Sequence, residues 1–403
     1  MEYVKRRPAI AKTLRISQFA LRSPPSALGS AGYFLEQEKM AAMKAFGGLV
    51  VFGAGLIAFA CGSSKEDPKL GSAGGAAGSS GSSGTGASTA SGGGAGITGT
   101  GGTAGTGAVA GAAGTAGTGG GPSAELRFVA MGDCGKGNDG QKEVAAAVRD
   151  KCTKDGCDFI QMLGDNLYDS GASSVDDPIW QQKFELPYAN LTYPFWVVLG
   201  NHDYGGGGAG FEVARANVQV AYSQKSNKWK LPAKHYKHPE PGVDFIGLDT
   251  NESMFNAHAT QKTNVAKWIA ESTAEWKIAV GHHPYLSNGP HGNAGSYDNL
   301  PFVPVVNGKG VKDLMDTTVC GKVDVYISGH DHSLQWMTGK CAGTELLVSG
   351  GGASNTDLPG KNPTHYQGAH TGFLYVVIKG KTFTGEFIDA QGNTKFTRTI
   401  TKP

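Results

Sequence analysis

Residues 126–133 read LRFVAMGD and residues 323–332 read VDVYISGHDH; between them the same pattern recurs as DFIQMLGDN at 158–166, PFWVVLGNHD at 194–203 and WKIAVGHHP at 276–284. Each is a short, near-continuous apolar run, which predicts a strand buried on both faces. Each ends in Gly followed by a side chain able to ligate a metal: Gly132-Asp133, Gly164-Asp165, Gly200-Asn201-His202, Gly281-His282-His283 and Gly329-His330-Asp331-His332. Glycine there lets the chain turn sharply, and ligands of open α/β sheets bind where the carboxyl ends of strands converge. One such dipeptide is weak evidence, because Asp after Gly is usually a turn former. Five in one chain point to a single site, as does the absence of all 11 His from the stretch before residue 202. Carboxylates, imidazoles and an amide oxygen without a Cys cluster suit iron, zinc or manganese.

Around these runs, KEVAAAVRDKC (142–152) predicts a helix and FIGLD (245–249) a further strand. ELLVSGGG (345–352), GFLYVVIKG (372–380) and TGEFIDAQGNTKFTRTI (384–400) predict strands joined by hairpins, with Gln391-Gly392-Asn393 as a turn. Strand–helix alternation followed by antiparallel pairing predicts an α/β domain over residues 125–403. Gly205–Phe211 and the Gly-rich stretch from Gly350 to Thr371 are expected to form open walls of a cleft.

The first part of the chain has a different texture. The 403 residues include 63 Gly, concentrated in a Gly/Ser/Ala/Thr-rich stretch, 62–124, that predicts a disordered tether. About 60 residues of flexible coil span roughly 40–45 Å. Residues 1–61 read as a leader. Phe46 to Ala60 is an uncharged apolar run preceded by Lys44, of the length of a signal core rather than the roughly 20 residues of a membrane span. Ala58-Phe59-Ala60-Cys61 resembles a bacterial lipoprotein cleavage box, although Leu is missing three residues before Cys61. That resemblance implies a lipid anchor through Cys61 and an exported protein, membrane-anchored or secreted. Translation is expected to start at Met40 or Met43. Cys152 can pair with Cys157 and Cys320 with Cys341 in an oxidising compartment, leaving Cys134 as a free thiol or a small buried side chain. A net charge of +2 excludes a strongly basic nucleic-acid binder.

GDCG (132–135), GDNLYDSG (164–171), GNHD (200–203), GHHP (281–284) and GHDHSLQW (329–336), in this order, resemble the five signatures of calcineurin-like metallophosphoesterases. More narrowly they are similar to the small tartrate-resistant purple acid phosphatases, over roughly residues 126–400. Many members of the wider superfamily place a metal-binding His two residues after the first Asp; here that position is Gly135. Tyr168 offers a phenolate instead, as in the purple subgroup, or is a buried core tyrosine.

The resemblance implies a four-layer sandwich, two mixed β-sheets flanked by helices, and two metal ions, Fe(III) plus a divalent Fe, Zn or Mn. It gives one ion to Asp133, Asp165, Tyr168 and His332, and the other to Asp165, Asn201, His282 and His330. A hydroxide on the ions would attack a phosphate monoester, best at acid pH. His202 would be the general acid, and His291 would serve substrate binding or proton transfer. Asp203 is expected to orient a neighbouring His, Asp331 to act behind the ligands, Asn166 to brace Asp165, and His283 to be structural or to line the substrate. His235, His238, His258, His365 and His370 are expected to be ordinary loop residues. The expected partner is a small phosphate ester and not nucleic acid, and the protein is expected to be a monomer. A phosphodiesterase or nucleotide pyrophosphatase on the same scaffold is the rival reading, and a non-catalytic surface binding protein a more distant one.

Overall fold

The computed structural model describes residues 125–303 and 305–403, so the expected leader and tether at 1–61 and 62–124 lie outside the described residues. The described residues build two seven-stranded mixed sheets. In the first, β1 (Glu125–Met131), β2 (Phe159–Leu163), β3 (Phe195–Val198) and β4 (Trp229–Lys230) run parallel. On the other side of β1 come β12 (Gly372–Lys379), β13 (Thr382–Asp389) and β14 (Thr394–Thr401), all antiparallel. The second sheet has parallel β6 (Val243–Gly247), β7 (Trp276–Val280), β8 (Val325–Ser328) and β10 (Glu345–Ser349). Antiparallel β5 (Tyr236–Glu240) closes one edge, while β9 (Leu334–Met337) and β11 (Thr364–Gly368) close the other.

Every residue of β2, β6, β8 and β10 is buried, as continuous apolar runs require when both faces are covered. Helices α1 (Asp139–Asp155), α2 (Val213–Tyr222), α3 (Thr250–Met254), α4 (Ala259–Glu271) and α5 (Lys309–Leu314) fall between the parallel strands and flank the sheets. Asn138 caps α1 by accepting the Gln141 N–H at 3.0 Å, and the Cys152–Cys157 disulfide closes its far end. The sheets meet in an aromatic core. Phe128 and Phe159 of the first stack at 5.1 Å, and Phe245 of the second stands edge-on to both at 5.2 Å.

Two expectations need correction. His238 and His365 are not in loops: they lie in β5 and β11. His238 is buried between the sheets, stacked on Trp196 of β3 at 4.0 Å and on Phe245 at 4.8 Å. The stretch from Gly350 to Thr371 is not all open wall either, since β11 pairs with β9 inside it and Tyr366 stacks on Phe396 at 5.1 Å. A short strand on a sheet edge, half its side chains exposed, carries too little apolar periodicity to be read from its residues.

Candidate metal centre

Strands β1, β2, β3, β7 and β8 all deliver their carboxyl ends to one place. There the chain reverses on Asp133 (φ 60°), Asp165 (φ 50°) and His330 (φ 71°). Left-handed conformations on non-Gly residues are uncommon, and their clustering marks a site whose geometry outweighs local strain. The preceding glycines are forced by contact: a Cβ on Gly200 would stand 2.2 Å from Asp165 Oδ1, and one on Gly329 2.7 Å from Asp133 Oδ2.

The polar side chains gather in two groups. Tyr168 Oη lies 3.1 Å from Asp133 Oδ1 and 3.0 Å from His332 Nε2. His282 Nε2 lies 3.0 Å from Asn201 Oδ1, 3.1 Å from His330 Nδ1 and 3.5 Å from Asp165 Oδ1. Backbone bonds hold the carboxylates, with His330 N donating to Asp133 Oδ2 at 2.8 Å and His202 N to Asp165 Oδ1 at 2.9 Å.

This donor set fits cations. His282 Nδ1 donates to the Leu163 carbonyl at 2.9 Å, and the tautomer this bond selects turns the lone pair of Nε2 inward. Asn201 uses its amide nitrogen on the Gly208 carbonyl at 2.9 Å, which turns Oδ1 inward as well. Lone pairs of His282, Asn201 and Asp165 therefore converge with at most one hydrogen, on His330 Nδ1, among them. Such crowding of buried acceptors is costly unless a positive ion sits between them. Burial, reinforced by the neighbouring imidazoles of His291, His283 and His282, keeps the His330 ring neutral with its pKa well below the usual value. Burial and the charges of Asp165 and Asp133 push the Tyr168 phenol well above 10, so only a strongly acidic cation would take it as phenolate.

The flanking residues divide. His202 donates Nδ1–H to the Asp169 carbonyl at 2.7 Å, and its Nε2 lies 4.0 Å from Asp165 Oδ2. The His291 ring lies 4.2 Å from that of His330, and Asp331 Oδ1 accepts its backbone N–H at 3.0 Å. His332 Nδ1 bonds Ser354 Oγ at 3.0 Å. His283 is buried, with Nδ1 2.9 Å from Thr250 Oγ1 and its ring 4.5 Å from that of His330.

Asp203 holds backbone as well as side chains: its carboxylate accepts from Gly200 N (2.8 Å), Asn166 N (3.0 Å), Asn166 Nδ2 (2.8 Å), Leu167 N (3.2 Å) and Gln219 Nε2 (2.8 Å). It thus ties the loop after β2 to the loop after β3. Burial and the Asp165 charge raise its pKa to about 6 despite those bonds. Asn166 accordingly braces Asp203 and the Val198 carbonyl (2.8 Å) and not Asp165. Cys134 is a buried thiol, 3.7 Å from the Met131 carbonyl, its pKa raised by burial. Cys320 pairs with Cys341. Ser354 and Asp298 carry no signal in the sequence, where a lone hydroxyl or a turn Asp does not differ from dozens of others.

Residues 126–334 match the calcineurin-like phosphoesterase family. Purple acid phosphatase 4 of Arabidopsis thaliana is 28% identical over 300 residues, covering 68% of this chain and 82% of that protein. Tartrate-resistant acid phosphatase type 5 of Homo sapiens is 28% identical over 323 residues, covering 68% of this chain and 91% of that one. Among solved structures, a purple acid phosphatase isolated from yellow lupin (Lupinus luteus) seeds shares the fold, with a TM-score of 0.53 and 18% identity over 69% of this chain and 54% of that one. The chain belongs to the calcineurin-like phosphoesterases, metal-dependent hydrolases of phosphoric esters, and counts purple acid phosphatases among its relatives.

Proposed function

We propose that residues 125–403 form an acid phosphatase that hydrolyses small phosphate monoesters at a binuclear centre of Fe(III) and a divalent iron, zinc or manganese. The observation that carries this reading is the pair of donor groups, one containing Asp133, Tyr168 and His332, the other Asn201, His282 and His330, with Asp165 against both. Asp165, set against both groups, would contribute to holding each ion. When bound, the ions would acidify a water and offset charge on the phosphate oxygens.

The chain's own groups do the rest. Asn201 and His282 are pinned from behind by Gly208 and Leu163, so their inward atoms need no reorganisation. His202 commits Nδ1–H to Asp169, leaving Nε2 as the atom that hands a proton to the leaving oxygen. His291 faces the phosphate from the His330 side. Purified protein is expected to show a broad visible absorption band, with iron measured on the same sample, and Tyr168→Phe is expected to lose it. A colourless protein holding two zinc or manganese ions would sink the phenolate–Fe(III) assignment. Aryl phosphate monoesters should turn over faster than the matching diesters; the reverse order would favour the phosphodiesterase reading.

We also propose that the enzyme is exported and tethered through Cys61, supported by the apolar run at 46–60 and by disulfides suited to an oxidising compartment. Cys61→Ser should move the protein from the membrane to the soluble fraction; unchanged partitioning would refute the anchor.

A further inference from the structure

The loop after β7 carries His291, and a second loop, from Ser296 to Asn307, returns to meet it. Its neck is closed by Tyr297 N donating to the Asn307 carbonyl at 3.2 Å. Tyr297 is buried with its ring 5.9 Å from His283 and 6.0 Å from His330, so the neck is packed onto the metal-centre histidines. Beyond it the tip exposes Phe302 at 93%. Asp298, at the neck, puts Oδ1 2.7 Å from His291 Nδ1, and its own N–H donates to the His291 carbonyl at 2.9 Å. To reach both atoms Asp298 adopts φ 55°, a conformation disfavoured for a residue with a Cβ and best tolerated by Asn and Asp.

We propose that Asp298 is a positioning residue for His291, an inference that rests on the phosphatase reading above. An ionised carboxylate only accepts hydrogen bonds, so Nδ1 must carry the hydrogen and Nε2 is the ring atom presented to a bound phosphate. The backbone is held at the same time: Asp331 Oδ1 takes the His291 N–H and Asp298 N–H takes its carbonyl. Peptide and imidazole are thereby fixed together, against the ring of His330. This arrangement ties Asp298 to the site through a single carboxylate.

The test is a double-mutant cycle on the metal-loaded protein, with kcat and KM measured on an aryl phosphate. Asp298→Asn keeps the backbone conformation and an accepting oxygen, and should retain most activity. Asp298→Ala should lower kcat/KM roughly tenfold, a fraction of the 10²–10⁴ that a positioned proton-transfer group contributes. In a His291→Ala background, Asp298→Ala should change nothing further, because its effect passes through the imidazole. A second readout is independent of turnover: ¹⁵N spectra of labelled imidazoles in the unloaded protein should show the Nδ1–H form of His291, and Asp298→Ala should redistribute it. An equal loss in both backgrounds, or a His291 tautomer indifferent to Asp298, overturns the proposal. Failure of the phosphatase reading would look different, since the unmodified protein would then fail to turn over the aryl phosphate monoester itself.

Discussion

A Cβ on residue 135 would stand 1.9 Å from the carbonyl oxygen of Asn166. The backbone of Gly135 is strapped to the next ligand segment, its N–H donating to the Asp165 carbonyl at 3.2 Å and its carbonyl accepting from Tyr168 N at 2.9 Å. The position where wider-superfamily members carry a metal-binding His therefore has no room here for any side chain, and the strap that excludes one is what brings Tyr168 over Asp133. The missing His and the present Tyr are two ends of one local geometry. It follows that Gly135→His cannot restore a ligand. Both Gly135→His and Gly135→Ala should push Asn166 and Tyr168 outward, destabilising the fold by about 2 kcal/mol and weakening metal binding. A Gly135→His protein that binds metal as tightly as the parent would show the strap to be dispensable.

Among the elements, β5 ties stability to pH. Neither ring nitrogen of His238 has a hydrogen-bond partner among the described residues, and burial drops its pKa to about 3, with Asp244 pulling weakly the other way. In the unfolded chain the same group titrates near 6.5. Between those values the unfolded state holds a proton that the folded state refuses, so this residue's contribution is full above pH 6.5 and falls as the pH is lowered toward 3. From pH 6.5 to 4.5 the loss is about 2–3 kcal/mol, which an enzyme working in acid would have to tolerate. His238→Phe, which keeps the stack between Trp196 and Phe245, should flatten the pH dependence of denaturant unfolding over that range; equal slopes in both proteins would place the titration elsewhere. His238 also shows what the residues alone hide. The strand ends are legible because each apolar run terminates in Gly plus a ligand, a pattern that local sterics and sheet topology both demand. The β5 segment HYKHPEP offers no apolar run, because its burial comes from Trp196 and Phe245, which arrive from β3 and β6. Asp298 is hidden for the same kind of reason: seven residues from its partner, it reads as an ordinary turn Asp.

At the scale of the whole domain, the donors come from both sheets. Asp133, Asp165 and Asn201 follow β1, β2 and β3 of one, while His282 and the His330–His332 pair follow β7 and β8 of the other. A cation held between them is bound by the assembled sandwich and not by either sheet alone, so its binding energy adds to folding stability. The core does not depend on it: a continuous buried cluster runs from Phe128 and Phe159 through Phe245 and Ile278 to Trp336 and Phe383, crossing from one sheet to the other. Burial on that scale far exceeds the contribution of an ion at 100 times its dissociation constant, about 2.7 kcal/mol. Chelation should therefore leave a folded domain with a lower Tm and not unfold it. For a domain of this size each kcal/mol moves Tm by roughly 2–4 °C, so losing one ion should cost about 5–10 °C. Asp165→Asn, which weakens the one carboxylate set against both donor groups, should reproduce most of that drop in the presence of metal. Calorimetry on parent and variant, with metal content measured before and after chelation, checks both. A Tm that does not move when the ions are demonstrably gone would mean that the strand ends are preorganised independently of what they bind.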